Sequence, residues 1–307
     1  MKTLVDKRVL ITGAGHGIGR EIAVLMAKSG ANVCATDVHE EQLEGTADCI
    51  RLFGGECRIM VLDVTDPENV RQVRETLTRE MGPLEILVNN AGIVKAGGFT
   101  DIELEDHLTM FEVNSLGPMI LTHAFLPDLI NRPESYLINI SDAAALTAIP
   151  HATTYAASKA AMLSLSESMR AELQDGGNRH VRVLSVCPSL VNSGMLHGAI
   201  APKLTNILDC SELAQQIVYA VRHDHEHLMT PRAIRWLPLA QSMMPKSAFN
   251  AFKKWLGVNN SMKTWVGHLD PNVLLDHDDP NSAAQEDTAV MKSSATLTNV
   301  TKHVSNT

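Results

Sequence analysis

Residues 8–19, Arg8-Val9-Leu10-Ile11-Thr12-Gly13-Ala14-Gly15-His16-Gly17-Ile18-Gly19, run from an apolar, β-branched stretch straight into a turn carrying four glycines. The chain continues through Arg20-Glu21-Ile22-Ala23-Val24-Leu25-Met26 to Gly30, with Ile22, Leu25 and Met26 spaced for one helix face. Strand, glycine turn and helix open a βαβ unit. The glycines permit a tight turn and let a pyrophosphate approach the helix N-terminus, whose unpaired N–H groups and dipole favour an anion. Gly13, His16, Gly17, Ile18 and Gly19 are therefore the candidate backbone contacts of a dinucleotide.

Outward from this turn, short apolar runs alternate with helix-period segments. Strands are expected at 8–12, 31–37, 56–63, 84–90, 135–141, 180–187 and 227–230, and Asp66-Pro67 opens a helix that runs to Met81. Such alternation specifies an α/β fold: a doubly wound, Rossmann-type parallel sheet of about seven strands with helices on both faces. From residue 231 the chain is rich in Trp, Met and Phe and broken by Pro238 and Pro245, which predicts a helical extension over 231–270. Residues 271–307 hold few large apolar groups, too few to offset the entropy of ordering, and are expected to form a disordered polar tail.

Ligands of open α/β sheets gather at the carboxyl ends of the strands. That rim is predicted to hold Asp37, Asp63 with its neighbour Val64, and Asn90. A carboxylate at Asp37 accepts ribose hydroxyls and repels a 2′-phosphate, so NAD is expected over NADP. Asp63 has two readings, a loop cap or an adenine contact. Tyr155 and Lys159, four apart in Tyr155-Ala156-Ala157-Ser158-Lys159, share a helix face, and a nearby ammonium favours the phenolate. Tyr155 is thus a candidate general acid/base.

Taken together, TGAGHGIG at 12–19, NNAG at 89–92, Asn114 in FEVNSLG, YAASK at 155–159 and CPSLVNS at 187–193 resemble the short-chain dehydrogenase/reductase family over about residues 5–230. The resemblance implies hydride transfer at a nicotinamide ring, with Tyr155 moving the proton and Lys159 binding the nicotinamide ribose and tuning Tyr155. It also implies a relay water at Asn114, carboxamide contacts from Val191 and Ser193, and a homodimer or homotetramer. Two positions depart from the pattern: Pro188 is followed by Ser189 rather than glycine, and the substrate-orienting serine is replaced by Asp142. Ser141, one residue earlier, points the other way along a regular strand and takes that role only if the strand end is bulged. Asp142 keeps open an alternative in which the chain binds dinucleotide as a sensor or partner without turnover.

A weaker similarity to retinol and 17β-hydroxysteroid dehydrogenases implies a lipophilic alcohol or ketone as substrate. The extension has three readings: a substrate lid, an oligomer contact, or peripheral membrane attachment through 247–258, where Phe249, Phe252, Trp255 and Leu256 share a face near Lys246, Lys253 and Lys254. A net charge of −9 excludes nucleic acid as a natural ligand. Five scattered cysteines read as reduced packing residues, and a start that runs directly into a strand gives a cytoplasmic expectation. His223, His225 and His227 read as a solvated loop, and no metal is expected.

Overall fold

In the computed structural model, which describes residues 1–203 and 205–267, seven strands pair in the order β3-β2-β1-β4-β5-β6-β9, every pair parallel. They are β1 (Arg8–Thr12), β2 (Asn32–Asp37), β3 (Cys57–Val61), β4 (Ile86–Asn89), β5 (Ser135–Ile140), β6 (Val181–Pro188) and β9 (His227–Thr230). A separate two-residue ribbon joins β7 (Val191–Asn192) to β8 (Leu208–Asp209). The third expected strand ends early because Asp63 turns the chain: its Oδ1 accepts from the Thr65 N–H at 2.8 Å and the Thr65 hydroxyl at 2.7 Å.

Alternation along each strand sorts the core into two layers. Val9, Ile11, Ile86, Val88 and Ile138 face α1 (Gly17–Lys28) and α7 (Cys210–Arg222), packing on Ile22, Met26, Leu213 and Ile217. Leu10, Leu87, Leu137 and Val183 face the other way, onto α3 (Pro67–Met81) and α5 (Gly117–Ile130). All six residues of β5 are buried, as expected of a strand covered on both faces. On α1 the buried set is Gly19, Ile22, Ala23 and Met26, while the predicted Leu25 is only half-buried. The helix is rotated so that the small Ala23 meets the sheet. Asp66 caps α3, accepting from the Glu68 and Asn69 N–H groups at 2.9 and 3.2 Å, a contribution of about 1 kcal/mol.

The strand order reverses between β1 and its neighbours β2 and β4, which opens a crevice at their carboxyl ends. Beyond β9 come a 3₁₀ turn (Arg232–Trp236), α8 (Leu237–Met243) and α9 (Lys246–Leu256), with Pro238 in the first turn of α8 and Pro245 in front of α9. The tail predicted over 271–307 lies outside the described residues. The cysteines are unpaired thiols, and burial pushes Cys34 and Cys187 up to about 12. His223 stacks on Tyr219 with ring centroids 3.9 Å apart, and His227 begins β9, the strand expected at 227–230. Among the described residues no cluster of side chains is arranged to hold a metal, and no helix is long and apolar enough to cross a membrane.

Candidate active site

The glycine turn is held from below by the end of β4. Asn90 Nδ2 donates to the carbonyls of Thr12 and Gly13 at 2.9 and 3.0 Å, and the Thr12 hydroxyl accepts from the Asn90 and Ala91 N–H groups, both at 3.0 Å. Gly19 slides under this clasp: a Cβ there would lie 2.1 Å from the Gly13 oxygen. Gly13 itself has φ +63, a conformation costly for any side chain. Asp37, buried at the end of β2, accepts from the Gly15 N–H at 3.0 Å and the His39 N–H at 3.2 Å.

Gly13, His16, Gly17, Ile18, Asn90, Ser141, Asp142, Tyr155, Lys159, Val191 and Ser193 all line one cleft. Asp37 stands behind Gly15, outside that lining, and Gly19 lies beneath it. Asp63 and Val64 are set further off because β3 is the edge strand. Asp63 is exposed and holds its own turn, whereas Val64 is buried so tightly against Gly117 that a Cβ on that glycine would come within 2.7 Å of its methyl.

Tyr155 and Lys159 sit in the first turns of α6 (Thr153–Asp175), as the four-residue spacing requires. The Tyr155 hydroxyl donates to Asp142 Oδ2 at 3.1 Å, and Asp142 Oδ1 accepts from the Ala144 N–H at 2.6 Å. Lys159 Nζ donates to the Ile140 carbonyl at 3.0 Å and lies 5.9 Å from the Tyr155 ring centroid. The alternative placing Ser141 at the reaction centre is corrected: its N–H continues the ladder to Val186 at 2.8 Å with no bulge, and its hydroxyl donates back to the Lys159 carbonyl at 2.9 Å. Regular strand alternation leaves Asp142 as the residue on Tyr155.

Electrostatically the cluster departs from the sequence reading. Burial raises the Asp142 carboxyl to about 6, against the Ala144 N–H, the Lys159 charge and the Tyr155 hydroxyl, all of which favour the anion. Burial, then the Asp142 charge, lifts the Tyr155 phenol well above its ordinary value, so the expected lowering by Lys159 does not hold in this arrangement. Burial also brings Lys159 down to about 8.

Asn114 is fully buried within a π-helical turn (Glu112–Leu116). Its side-chain amide is occupied: Nδ2 donates to the Ile93 carbonyl at 2.9 Å and Ser158 Oγ at 3.0 Å, and Oδ1 accepts from the Ile93 N–H at 2.8 Å. The side chain therefore joins the β4 rim to α6, and a water expected there would turn to the main-chain carbonyl. Pro118, four residues on, has no N–H to give that carbonyl, and a π turn so placed is a frequent mark of a working site.

A second cavity of about 260 Å³ begins at Asp142 and Tyr155 and runs outward between apolar walls. Ala144, Ile149, Leu196 and Ile234 line it, and Phe252, Leu256 and Met262 of the extension close its far side. This narrows the predicted membrane face over 247–258. Phe249 and Lys253 are buried, Phe252 and Leu256 turn inward, and only Trp255 of the four apolar residues is exposed. An apolar stripe that covers an apolar cavity is not available to lipid.

Sequence reasoning missed three participants. Thr12 and Ser158 organise the rim through hydroxyls that no spacing rule marks. Arg20 directs its guanidinium to the Gly15 carbonyl and, at 3.1 Å, to Thr46 Oγ1, which places a cation behind the glycine turn. Its position one turn into α1, facing the helix that follows β2, was the available signal.

Comparison with known proteins agrees with this geometry. Residues 7–203 match the family model for short chain dehydrogenase. The chain belongs to the short-chain dehydrogenase/reductase family. Human short-chain dehydrogenase/reductase 3 is 31% identical over 270 residues, covering 87% of this chain and 89% of that protein. Mouse estradiol 17-beta-dehydrogenase 11 is 28% identical over 269 residues, with 88% and 89% covered. A short chain dehydrogenase/reductase from Burkholderia phymatum, solved in complex with NAD, superposes with a TM-score of 0.73 at 24% identity, covering 79% of this chain and 95% of its own. Membership in this family makes the protein an oxidoreductase acting between an alcohol and a carbonyl.

Proposed function

We propose that the protein is an NAD-dependent dehydrogenase/reductase of a lipophilic alcohol or ketone. The observation that carries this reading is the apolar cavity of about 260 Å³ that ends on Tyr155 and Asp142, which it shares, together with Ser189 and Leu196, with the glycine-turn cleft. A polar group on an otherwise greasy molecule can pair at the inner end, where a hydroxyl and a carboxyl wait.

The glycine-turn cleft fits a dinucleotide. A Cβ on Gly17 would come within 3.3 Å of Ser193 Cβ, so glycine there keeps the cleft between the turn and Ser193 open. Gly13, Gly17, Ile18 and the α1 N-terminus would hold the pyrophosphate, Asp37 the adenosine ribose, Lys159 the second ribose, and Val191 and Ser193 the nicotinamide amide. Bound there, nicotinamide supplies the acceptor or donor of the hydride. Tyr155 holds the proton at its phenol oxygen, and the raised phenol keeps that proton at neutral pH. Apolar walls exclude water from the end of the cavity.

Asp37 makes none of the described ion pairs. Arg20, the cation behind the turn, is engaged with Gly15 and Thr46. NAD is therefore expected to bind at least about tenfold more tightly than NADP, a difference of about 1.4 kcal/mol. Asp37→Ala should close that gap by weakening NAD. Titration of both cofactors checks this, and a wild-type preference for NADP would sink the assignment. Steroid, retinoid and long-chain aliphatic alcohols assayed with NAD by absorbance of the reduced nicotinamide test the substrate class. Turnover confined to small hydrophilic alcohols would overturn it. The reading includes a homodimer or homotetramer, supported by Leu104, Leu108, Leu116 and Met119 exposed on α4 (Leu104–Phe111) and beside it.

A further inference from the structure

The two departures from the family pattern come together at one point of the fold. Asp142 replaces the usual serine and Ser189 the usual glycine, and both line the two clefts where they meet, with Tyr155 and Leu196.

Ser189 follows the last residue of β6, and its N–H donates to the Thr230 carbonyl of β9 at 2.8 Å, so the sheet fixes its main chain. Its φ lies outside the left-handed region, and the turn carries a Cβ there without strain. The residue is buried, and its hydroxyl makes none of the described hydrogen bonds. Other hydroxyls along the walls are already engaged: Ser141 with the Lys159 carbonyl at 2.9 Å, Thr205 with Pro202 at 2.7 Å and Ser261 with Val258 at 2.8 Å. Thr147 and Ser193 each line one cleft only.

Negative charge gathers on a carbonyl oxygen as it is reduced, and donors aimed at that oxygen stabilise the charge. At the inner end of the apolar cavity the Tyr155 hydroxyl donates to Asp142 Oδ2 at 3.1 Å. A carboxylate has no hydrogen to give, so an ionised Asp142 leaves the place of the missing serine without a donor. We infer that the Ser189 hydroxyl donates a hydrogen bond to the reacting oxygen of the substrate, as a second catalytic hydroxyl beside Tyr155. A stiffer turn would need only the Cβ, which alanine also supplies. A hydroxyl enclosed among apolar walls calls for a polar partner. The inference rests on the reaction proposed at Tyr155 and adds a residue to it.

The test is the single-turnover rate of reduction of a long-chain methyl ketone, decan-2-one, by the enzyme loaded with NADH, so that product release does not mask the chemistry. Ser189→Ala should lower this rate at least about a hundredfold, the usual cost of one lost oxyanion donor, with ketone and NADH affinities within a few-fold. Ser189→Gly should lose as much, and Ser189→Thr, which keeps the hydroxyl, should recover at least about tenfold over alanine. In the Asp142→Ser background a second hydroxyl reaches the same oxygen, and Ser189→Ala should there cost less than about tenfold. An equal loss in both backgrounds, or a loss accompanied by a lower Tm, overturns the proposal, because the side chain would then act on the fold. So does Ser189→Ala keeping more than about a third of the wild-type rate. Decanamide, a carbonyl that is not reduced, reports the bond without turnover: its affinity for the enzyme–NADH complex should fall at least about threefold in Ser189→Ala. Turnover and decanamide binding that both survive Ser189→Ala defeat this inference alone. Decanamide binding that depends on Ser189 in an enzyme without turnover defeats the proposed reaction alone.

Discussion

Tyr155→Phe is expected to remove nearly all turnover, at least about a hundredfold in kcat, because a positioned general acid or base contributes roughly 10²–10⁴. Packing should survive the change. The ring is buried, and the hydroxyl makes one described bond, to Asp142 at 3.1 Å, so its loss leaves the phenyl in the same walls. NAD affinity should stay within a few-fold, since Lys159 and the glycine turn remain. Lys159→Ala should lower both affinity and rate, and should also free the Ile140 carbonyl that Nζ now covers. Steady-state kinetics with fluorescence titration of NAD separates the two outcomes. A Tyr155→Phe enzyme keeping more than about a tenth of wild-type kcat, with chemistry rate-limiting, would remove Tyr155 from the reaction.

Asp142→Ser should change the rate in the opposite direction and alter its pH dependence. Negative charge builds on the substrate oxygen during carbonyl reduction, and an ionised carboxylate beside it opposes that charge where a hydroxyl would stabilise it. With burial holding Asp142 up to about 6, the carboxyl is a neutral donor below that pH and an anion above it. Wild-type carbonyl reduction is therefore expected to decline as pH rises through about 6. In Asp142→Ser that inflection should vanish, and the rate at pH 8 should rise about tenfold, equivalent to about 1.4 kcal/mol of transition-state stabilisation. The Lys159 ammonium, brought down to about 8 by burial although the Asp142 charge raises it, gives a second decline above that pH in the wild type, and in Asp142→Ser, without that charge, this decline moves to lower pH. Ser141→Ala should be nearly silent in these profiles. A profile unaltered in Asp142→Ser would show that the carboxyl does not face the reacting oxygen.

Much of the fold was legible because the sheet is buried on both sides. A buried parallel strand is apolar along most of its length, and Ile86–Val88 of β4 and Tyr136–Ile138 of β5 stand out for that reason. The glycine turn was legible because close backbone approach excludes a Cβ, and only glycine meets that condition. Asp142 and Ser141 were separable in principle by strand alternation, although only the unbroken ladder to Val186 decided between them. The pKa of Tyr155 was not legible. It depends first on the burial of the phenol and then on the Asp142 charge, and helix spacing specifies Lys159 while saying nothing of burial or of a carboxylate thirteen residues upstream in another element. The amphipathic stripe of α9 misled for a related reason: periodicity tells which residues share a face, not whether protein or lipid covers it.

The two clefts meet at Tyr155 and Asp142 but draw their walls from different parts of the chain. Everything described around the glycine-turn cleft comes from residues 13–196, whereas the apolar cavity takes its outer wall from 202–262. A change in the outer wall therefore alters what the cavity can hold without touching a residue of the glycine turn. The same separation leaves its descendants free to exchange one greasy molecule for another through residues such as Ala240, Phe252 and Met262, with the proton-transferring pair inherited unchanged.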